Sequence, residues 1–201
     1  MTNEKLKNIA EAHPCLTHFR LGIHNPKERD YSTGEYFDEG FGAIARSCKG
    51  LKRLSLGGYL TDRVFKYIGD HAKSLHMFST AFTGTTEQGL DDVLRGCKSL
   101  RKMDVKGCPF GNKALLQNTE KLKTMRSFFM SGCPPLTVGG CKELAKNIHG
   151  FAFEILMNYD WRTCPPGDEC QVERLFVYPT ISNQRPDAPN CVRSFWYPVP
   201  K

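Results

Sequence analysis

The sequence contains no apolar run near the roughly 18 to 20 residues that a bilayer-spanning helix requires. Its first residues, Met-Thr-Asn-Glu-Lys, lack the apolar core of a signal peptide. It also has no G-x-x-x-x-G-K-[ST] phosphate loop, no G-x-S-x-G nucleophile elbow and no H-E-x-x-H metal motif. These absences disfavour membrane spanning and secretion, and they give no support to an enzyme active site.

Metal sites and disulfide frameworks have equally little support. Nine cysteines are scattered along 201 residues, and Cys164 and Cys170 have no second pair at zinc-finger spacing. The six histidines form no identifiable ligand set. Because a chain of this length can bury a core without covalent staples, we predict reduced thiols in the cytosol or nucleus and no bound metal.

Positive charge is in moderate excess, with 28 Lys and Arg against 21 Asp and Glu and a formal net charge of +7. Most of this excess falls between residues 98 and 126, where eight basic residues stand against two acidic ones. A local basic cluster favours an anionic partner, whereas a basic surface that only promotes solubility is the plainer interpretation.

A repeat organises most of the chain. Six segments read apolar-x-x-apolar-x-apolar, the third only weakly, and their first residues are separated by 35, 24, 25, 25 and 23 residues. Four of these intervals match the ~20 to 29 residue period of leucine-rich repeats. The first residues are Leu16, Leu51, Leu75, Leu100, Met125 and Ile148. We therefore predict an α/β leucine-rich-repeat solenoid, a horseshoe with a parallel concave sheet and outer helices, with about six repeats over residues 1–157.

The segments between the predicted strands carry helix start signals. Thr61 and Thr86 are N-cap candidates ahead of apolar residues at helical spacing. The single long interval holds residues 23–36, whose composition is that of a loop, and such insertions in solenoids are often functional. Residues 158–201 hold seven of the twelve prolines and are predicted to form a C-terminal cap and proline-rich tail, with one strand near 172–178.

Strand alternation assigns the residues between the apolar positions to the concave surface. Six of them form a predicted hollow, with Arg20, Ser55 and Ser79 beside Gly22, Gly57 and Ala81. A guanidinium and two hydroxyls beside small residues can orient one carboxylate of a small ligand. The alternatives are that Gly57 and Gly58 only end a strand and that Arg20 pairs with an acid such as Asp104.

Basic residues also recur at equivalent repeat positions. Arg101 and Arg126 stand at the same point of successive repeats, with Lys102 close by, and Arg53 and Arg20 follow further along the surface. Since parallel strands lie ~4.8 Å apart, Arg101 and Arg126 should repel each other unless an anion neutralises them. This favours a compact polyanion such as a polyphosphate, while side chains that splay into water are the alternative.

Several runs of the sequence resemble one plant family. They include Thr17-His-Phe-Arg-Leu, Leu51-Lys-Arg-Leu-Ser-Leu-Gly-Gly, Cys108-Pro-Phe-Gly-Asn-Lys-Ala-Leu-Leu and Thr124-Met-Arg-Ser. From residue 1 to about 180 the chain resembles the C-terminal leucine-rich repeats of the plant auxin receptors, the transport-inhibitor-response and auxin-signalling F-box proteins. The jasmonate receptor resembles it more distantly. The sequence has no F-box, so we expect it to be a C-terminal part of a longer receptor.

The resemblance implies the substrate-recognition part of a nuclear SCF-type ubiquitin ligase, which is not itself an enzyme. It implies auxin bound as a molecular glue beneath the degron of an Aux/IAA repressor, with contacts from Arg20, Leu21, Ser55, Gly58, Ser79 and Ala81. It implies inositol hexakisphosphate as a cofactor, contacted by Lys27, Arg53, Arg101, Lys102 and Arg126, and degron-facing positions at Gly22, Gly57 and Lys106. A Skp-type adaptor and a cullin would join only through an upstream F-box, and neither nucleic acid nor a membrane is expected as a partner.

The sequence departs from the family at defined positions. His18 stands where the family has an arginine that contacts the inositol phosphate, and Gly22 and Gly57 replace a cysteine and a serine at the degron edge. Two other functions stay open: a generic leucine-rich-repeat scaffold without hormone binding, and a regulatory fragment that keeps the phosphate-binding edge. For the chain alone we expect negligible auxin affinity.

Overall fold

The structure, a computed structural model, describes residues 1–23, 25, 27–157, 169–179 and 192–196. The chain divides into two compact units, Met1–Leu100 and Arg101–Lys201. The predicted boundary at residue 157 falls inside the second unit, and much of the predicted tail lies outside the described residues, so this boundary stays a prediction. Within the described ranges, no helix has the length and apolar character needed to cross a membrane.

The described residues of the first unit alternate four helices with three strands. In chain order these are α1 (Asn3–Ala12), β1 (His18–Gly22), α2 (Asp38–Ser47), β2 (Arg53–Gly57), α3 (Asp62–His71), β3 (Met77–Ala81) and α4 (Gln88–Gly96). The strands pair in parallel and in chain order. The predicted alternation of helices with a parallel sheet is confirmed here.

Apolar repeat positions form the core of the first unit. Leu54, Leu56 and Phe78 on the strands and Val64 and Ile68 on α3 are at most 3% exposed. Burying each of these side chains contributes about 1.5 to 3 kcal/mol to the stability of the fold. This is why the apolar side chains of the strands face the core. Thr61 is the N-cap of α3, as predicted, and its hydroxyl accepts a hydrogen bond from the backbone N–H of Arg63.

The second unit is less regular. Its described elements are β4 (Lys102–Lys106), α5 (Asn112–Gln117), α6 (Thr119–Leu122), β5 (Ser127–Ser131), α7 (Val138–Asn147), β6 (Phe151–Leu156), β7 (Arg174–Pro179) and β8 (Val192–Trp196). β4 and β5 pair in parallel. β7 is antiparallel to both β5 and β6, and β8 is antiparallel to β6.

The sixth repeat segment therefore does not extend the parallel sheet as the repeat pattern predicts. β7 lies between β5 and β6, so Val177 pairs with Phe128 on one side and with Phe153 on the other. Leu175 and Val177 are 0% and 3% exposed, so their burial extends the apolar layer and favours the insertion. The strand predicted near 172–178 exists, but it is an internal strand of the sheet, and β8 was not predicted.

In three helices the side chain of the first residue forms hydrogen bonds with the chain of the next repeat. We call these contacts braces, and they join Asp38 to Thr61, Asp62 to Thr85 and Thr86, and Asn112 to Thr137. In the first of them the carboxylate of Asp38 accepts hydrogen bonds from the backbone N–H of Thr61 at 2.8 Å and from its hydroxyl at 2.6 Å. The braces satisfy polar groups at helix starts and fix the offset between successive repeats.

Most of the cysteines that the structure describes are buried. Cys48, Cys97, Cys108, Cys133 and Cys141 are buried and free, and Cys15 is exposed and free. Burial raises the pKa of Cys133 to about 11 and that of Cys141 to about 12, so both stay protonated at neutral pH. Cys170 is disulfide-bonded, so the prediction of reduced thiols is wrong at this residue.

The inserted loop between β1 and α2 is fastened by a buried carboxylate. Asp30, 1% exposed, accepts hydrogen bonds from the backbone N–H of Asn3 at 2.6 Å and from the N–H and hydroxyl of Ser32. The Asn3 side chain accepts from the N–H of Gly40 and donates to the carbonyl of Tyr36. Burial alone would raise the pKa of Asp30, but its hydrogen bonds, led by that from Ser32, lower it to about 2.

We expect Asp30→Asn to lower the free energy of unfolding by about 1 to 3 kcal/mol at neutral pH. Because the folded-state pKa is depressed, this stabilisation is present above the unfolded value of 3.8 and disappears as the pH falls through about 2. Denaturant titrations between pH 2 and 7 should therefore show a shallower acid loss of stability in the variant. Glu35→Gln, at an exposed carboxylate of the same loop, is the control; equal effects of the two substitutions would contradict the assignment.

Neighbouring helices of the first unit approach closely at glycine. A Cβ on Gly69 of α3 would fall well inside van der Waals distance of the backbone oxygen of Asp92 on α4, which no side-chain movement relieves. A Cβ on Gly50 would meet nothing within 4 Å. The close approach of α3 and α4 therefore depends on glycine, which has no side chain, at position 69.

We expect Gly69→Ala to destabilise the chain by about 1 to 3 kcal/mol, because the helices must separate to admit the methyl group. Thermal and denaturant unfolding measure this change. Gly50→Ala is the matched control and should be close to neutral. A Gly69→Ala variant as stable as the Gly50→Ala variant would mean that the helices are not packed in this way.

Candidate functional site

The first unit brings Arg20, Ser55 and Ser79 into one row across three parallel strands. Arg20 is in register with Ser55, and Ser55 is in register with Ser79. Arg20 is exposed and both serines are half-buried, so the row occupies the solvent face of the sheet, opposite buried residues such as Leu54. With strands ~4.8 Å apart, the three Cα positions span about 10 Å.

The neighbouring row toward the carboxyl ends of the strands contains only small residues. Gly22, Gly57 and Ala81 are in register. A Cβ at Gly22 would meet nothing within 4 Å, and one at Gly57 would first meet the backbone oxygen of Ala81 at 3.4 Å. The sheet face therefore has open space about 6.7 Å, or two residues, from the Arg20 row.

Leu21 and Gly58 are the two other residues that the resemblance assigns to the auxin pocket. Leu21 pairs with buried Leu56, so its side chain belongs to the core face of β1. Gly58 is buried and has a φ of 141°, and a Cβ there would lie 2.9 Å from Cδ1 of Ile23. The structure therefore separates the Leu21 side chain from the Arg20 row and places Ile23 against Gly58.

Arg20 forms no ion pair with the described carboxylates of its own unit, whose ion pairs lie on the helices. A pairing with an acid within this unit is therefore not what holds the guanidinium. A guanidinium on an open face can bind a carboxylate through two parallel N–H···O hydrogen bonds. The two serine hydroxyls beside it can each donate or accept one further bond.

Phe82 marks the carboxyl end of β3, directly after Ala81. Its φ is 56°, and its side chain is 51% exposed. A bulky residue in the left-handed region is a backbone outlier, and such outliers concentrate at functional sites. Sequence reasoning missed this residue because neither composition nor periodicity reports backbone strain.

Lys27 lies in the inserted loop beyond the carboxyl ends of the strands. There the Arg29 guanidinium lies 4.8 Å from the ring centroid of Tyr36 and 5.2 Å from that of Tyr59. Hydrogen bonds from Tyr36 and then Arg29 lower the pKa of Tyr59, with a smaller contribution from the charge of Lys27. Arg53 instead begins β2, so these two predicted phosphate contacts lie at opposite ends of the strands.

The second unit brings Arg101, Lys102 and Arg126 together at the start of β4 and β5. The backbone N–H of Arg126 donates to the carbonyl of Arg101 at 2.7 Å, which places the two arginines side by side as predicted. Lys102 and Arg126 are exposed and Arg101 is half-buried. Lys106 is exposed at the far end of β4, about 13 Å along the strand.

One open cavity of about 440 Å³ is lined by residues 12–18, including His13, Cys15 and His18. His18 is in register with Arg53, so the cavity borders one of the predicted phosphate contacts. Across the described ranges, no group of three or more His, Cys, Asp or Glu is arranged to hold a metal ion.

Comparison with known proteins identifies relatives along nearly the whole chain, although no family model matches it. The chain is 51% identical over 196 residues to a transport inhibitor response 1-like protein of rice (Oryza sativa subsp. japonica), covering 96% of this chain and 33% of that protein. It is 42% identical over 191 residues to GRR1-like protein 1 of Arabidopsis thaliana, covering 95% and 32% respectively.

A more distant relative is coronatine-insensitive protein 1 of Arabidopsis thaliana, 27% identical over 210 residues, with 99% of this chain and 34% of that protein covered. The chain thus spans about a third of the length of the curated relatives it matches. Over the part aligned, it belongs to the family of F-box/leucine-rich-repeat proteins that includes the transport inhibitor response 1-like, GRR1-like and coronatine-insensitive proteins.

Proposed function

We propose that this chain forms the substrate-recognition surface of an SCF-type ubiquitin ligase and that its first unit senses auxin. The Arg20–Ser55–Ser79 row carries the proposal, because it offers one exposed cation and two hydroxyls on an open sheet face. The relationship to F-box/leucine-rich-repeat proteins supports the receptor role. In this proposal the repeats form a leucine-rich-repeat horseshoe whose concave face is the sheet face described above.

The row supplies what recognition of a small carboxylic acid requires. Arg20 donates two hydrogen bonds to the auxin carboxylate, and Ser55 and Ser79 hold the polar edge of the ligand. The open space over Gly22 and Gly57 admits the apolar ring. Binding neutralises the arginine and leaves an apolar surface that the degron of an Aux/IAA repressor covers, so auxin acts as a glue between two proteins.

Inositol hexakisphosphate is the proposed cofactor. Arg101, Lys102 and Arg126 form a cluster of like charges that a polyphosphate relieves, and each contact is a charge-assisted hydrogen bond. Lys27 and Arg53 are further proposed contacts, and Lys106 with the glycine row faces the degron. A Skp-type adaptor and a cullin would be recruited through an F-box, the site of action would be the nucleus, and ubiquitin transfer would occur on other subunits.

A leucine-rich-repeat scaffold without hormone binding is the competing function. The core-facing side chain of Leu21 favours it, because this side chain then adds no pocket wall beside the Arg20 row. A scaffold would bind the same degron peptide whether or not auxin is present. Dependence on auxin therefore distinguishes the two functions.

The sharpest test of auxin sensing uses a chimera of the rice relative, in which residues 1–201 of this chain replace the aligned third of that protein. Pull-down of an Aux/IAA degron peptide by this chimera should require auxin, and Arg20→Ala should abolish it because the carboxylate loses its bidentate partner. Arg95→Ala is the matched control, since Arg95 is exposed on α4 and pairs with Asp91. If the chimera retains the degron peptide equally well with and without auxin, the chain belongs to the scaffold class.

Inositol hexakisphosphate binding is measured on the chain itself by isothermal titration calorimetry. Replacing both Arg101 and Arg126 by Ala should weaken binding by about 100-fold, since two charge-assisted contacts of about 1.5 kcal/mol are lost. Lys5→Ala with Lys66→Ala removes the same charge from exposed helix positions and should have a small effect that added salt suppresses. If the two double variants weaken binding equally, the cluster is not the polyphosphate site.

A further inference from the structure

A pair of phenylalanines stands on the solvent face of the second unit. Phe129 on β5 is directly opposite Phe176 on β7, and their ring centroids are 4.7 Å apart with 37° between the ring planes. Phe176 is 37% exposed and Phe129 is half-buried. The antiparallel insertion of β7 creates this pair from residues 47 positions apart.

Charged side chains surround the pair in an ordered way. Within its own row, Asp104 is in register with Phe129 on one side, and Glu154 is opposite Phe176 on the other. The basic residues lie in the rows above and below, two residues further along the strands. They are Lys102 at one end, and Lys106 and Arg174 at the other, the last two both in register with Ser131.

This arrangement is directional. A ligand that crosses the strands meets carboxylates on both sides of the aromatic pair. A ligand that runs along β5 and β7 has Arg174 beyond one end of the pair and Lys102, one strand away on β4, beyond the other end. Arg174 is available to such a ligand, because its Nε lies 3.7 Å from Glu173 in a half-exposed contact that a second carboxylate can replace. Lys102 is exposed as well.

The row spacing matches that of an extended peptide. Rows two residues apart on a strand are separated by about 6.6 to 6.8 Å, and alternate side chains of an extended peptide have the same separation. We propose that this face binds an extended segment of a partner protein with the pattern acidic-x-apolar-x-acidic, whose apolar side chain packs on the Phe129–Phe176 pair. The surface lies in the second unit and requires neither auxin nor the Arg20 row. It shares Lys102 with the proposed phosphate contacts and Lys106 with the proposed degron-facing positions.

The test uses the intact 201-residue chain and the fluorescein-labelled peptide Gly-Glu-Ser-Trp-Ser-Glu-Gly in fluorescence anisotropy titrations without auxin. Two matched peptides replace either both glutamates by lysine or the tryptophan by serine. The acidic tryptophan peptide should bind at least about tenfold more tightly than either, since aromatic contact and charge each contribute roughly this factor. Binding should weaken with added salt.

Phe176→Ser should weaken binding of the acidic tryptophan peptide by about tenfold, whereas Tyr31→Ser should leave it unchanged. Tyr31 is the matched control because it is an exposed aromatic residue of the first unit. Arg174→Gln should weaken binding of this peptide and leave the residual binding of the lysine peptide unaltered. Circular dichroism checks that each variant is folded, and the peptide comparison with the unmodified chain needs no variant.

Three outcomes would overturn the proposal. The first is absence of saturable binding up to millimolar peptide, and the second is equal or tighter binding of the lysine peptide, which would make Asp104 and Glu154 the recognition groups of a cationic site. The third is self-association of the chain in sedimentation experiments that Phe176→Ser abolishes, which would assign the face to a second copy. None of these outcomes bears on auxin binding by the Arg20 row, so the auxin proposal and this one fail independently.

Discussion

The in-register pairing of one short strand per repeat is the constraint on which the rest of this structure depends. In the first unit, the match of Leu54 with Phe78 in the core fixes the match of Ser55 with Ser79 on the solvent face, because successive side chains alternate. A shift of one residue would bury the serines and expose the apolar residues. The free energy of core burial therefore holds the row of ligand-binding candidates in place.

This register is maintained outside the sheet. The first residue of a helix braces the chain entering the next repeat, as Asp38 does with Thr61, and helix approach at Gly69 sets how closely two repeats stack. The inserted loop is tied down separately, by Asp30 against the start of α1 and by the stacking of Arg29 on two tyrosines. Arg29 thereby links the loop to Tyr59, just beyond the end of β2.

Sequence periodicity was sufficient to predict which residues share a row across the parallel strands β1 to β3 and across β4 and β5. The apolar positions of the repeat are local in sequence, and strand alternation then gives the face on which each residue lies. It placed Arg20 with Ser55 and Arg101 with Arg126. It failed where contacts are non-local: the insertion of β7, which brings Phe176 to Phe129, depends on pairing that no period reports. The packing of Ile23 against Gly58 and the strained backbone of Phe82 are likewise products of the folded chain.

The most direct measurement of the central claim is an experimental structure, with auxin and a degron peptide, of the rice relative carrying this chain in place of its aligned third. The account predicts the auxin carboxylate within hydrogen-bonding distance of the Arg20 guanidinium, with the Ser55 and Ser79 hydroxyls along its polar edge and its ring over the Gly22 and Gly57 row. Auxin bound in the cavity lined by residues 12–18, or on the sheet face without contact to Arg20, would contradict it.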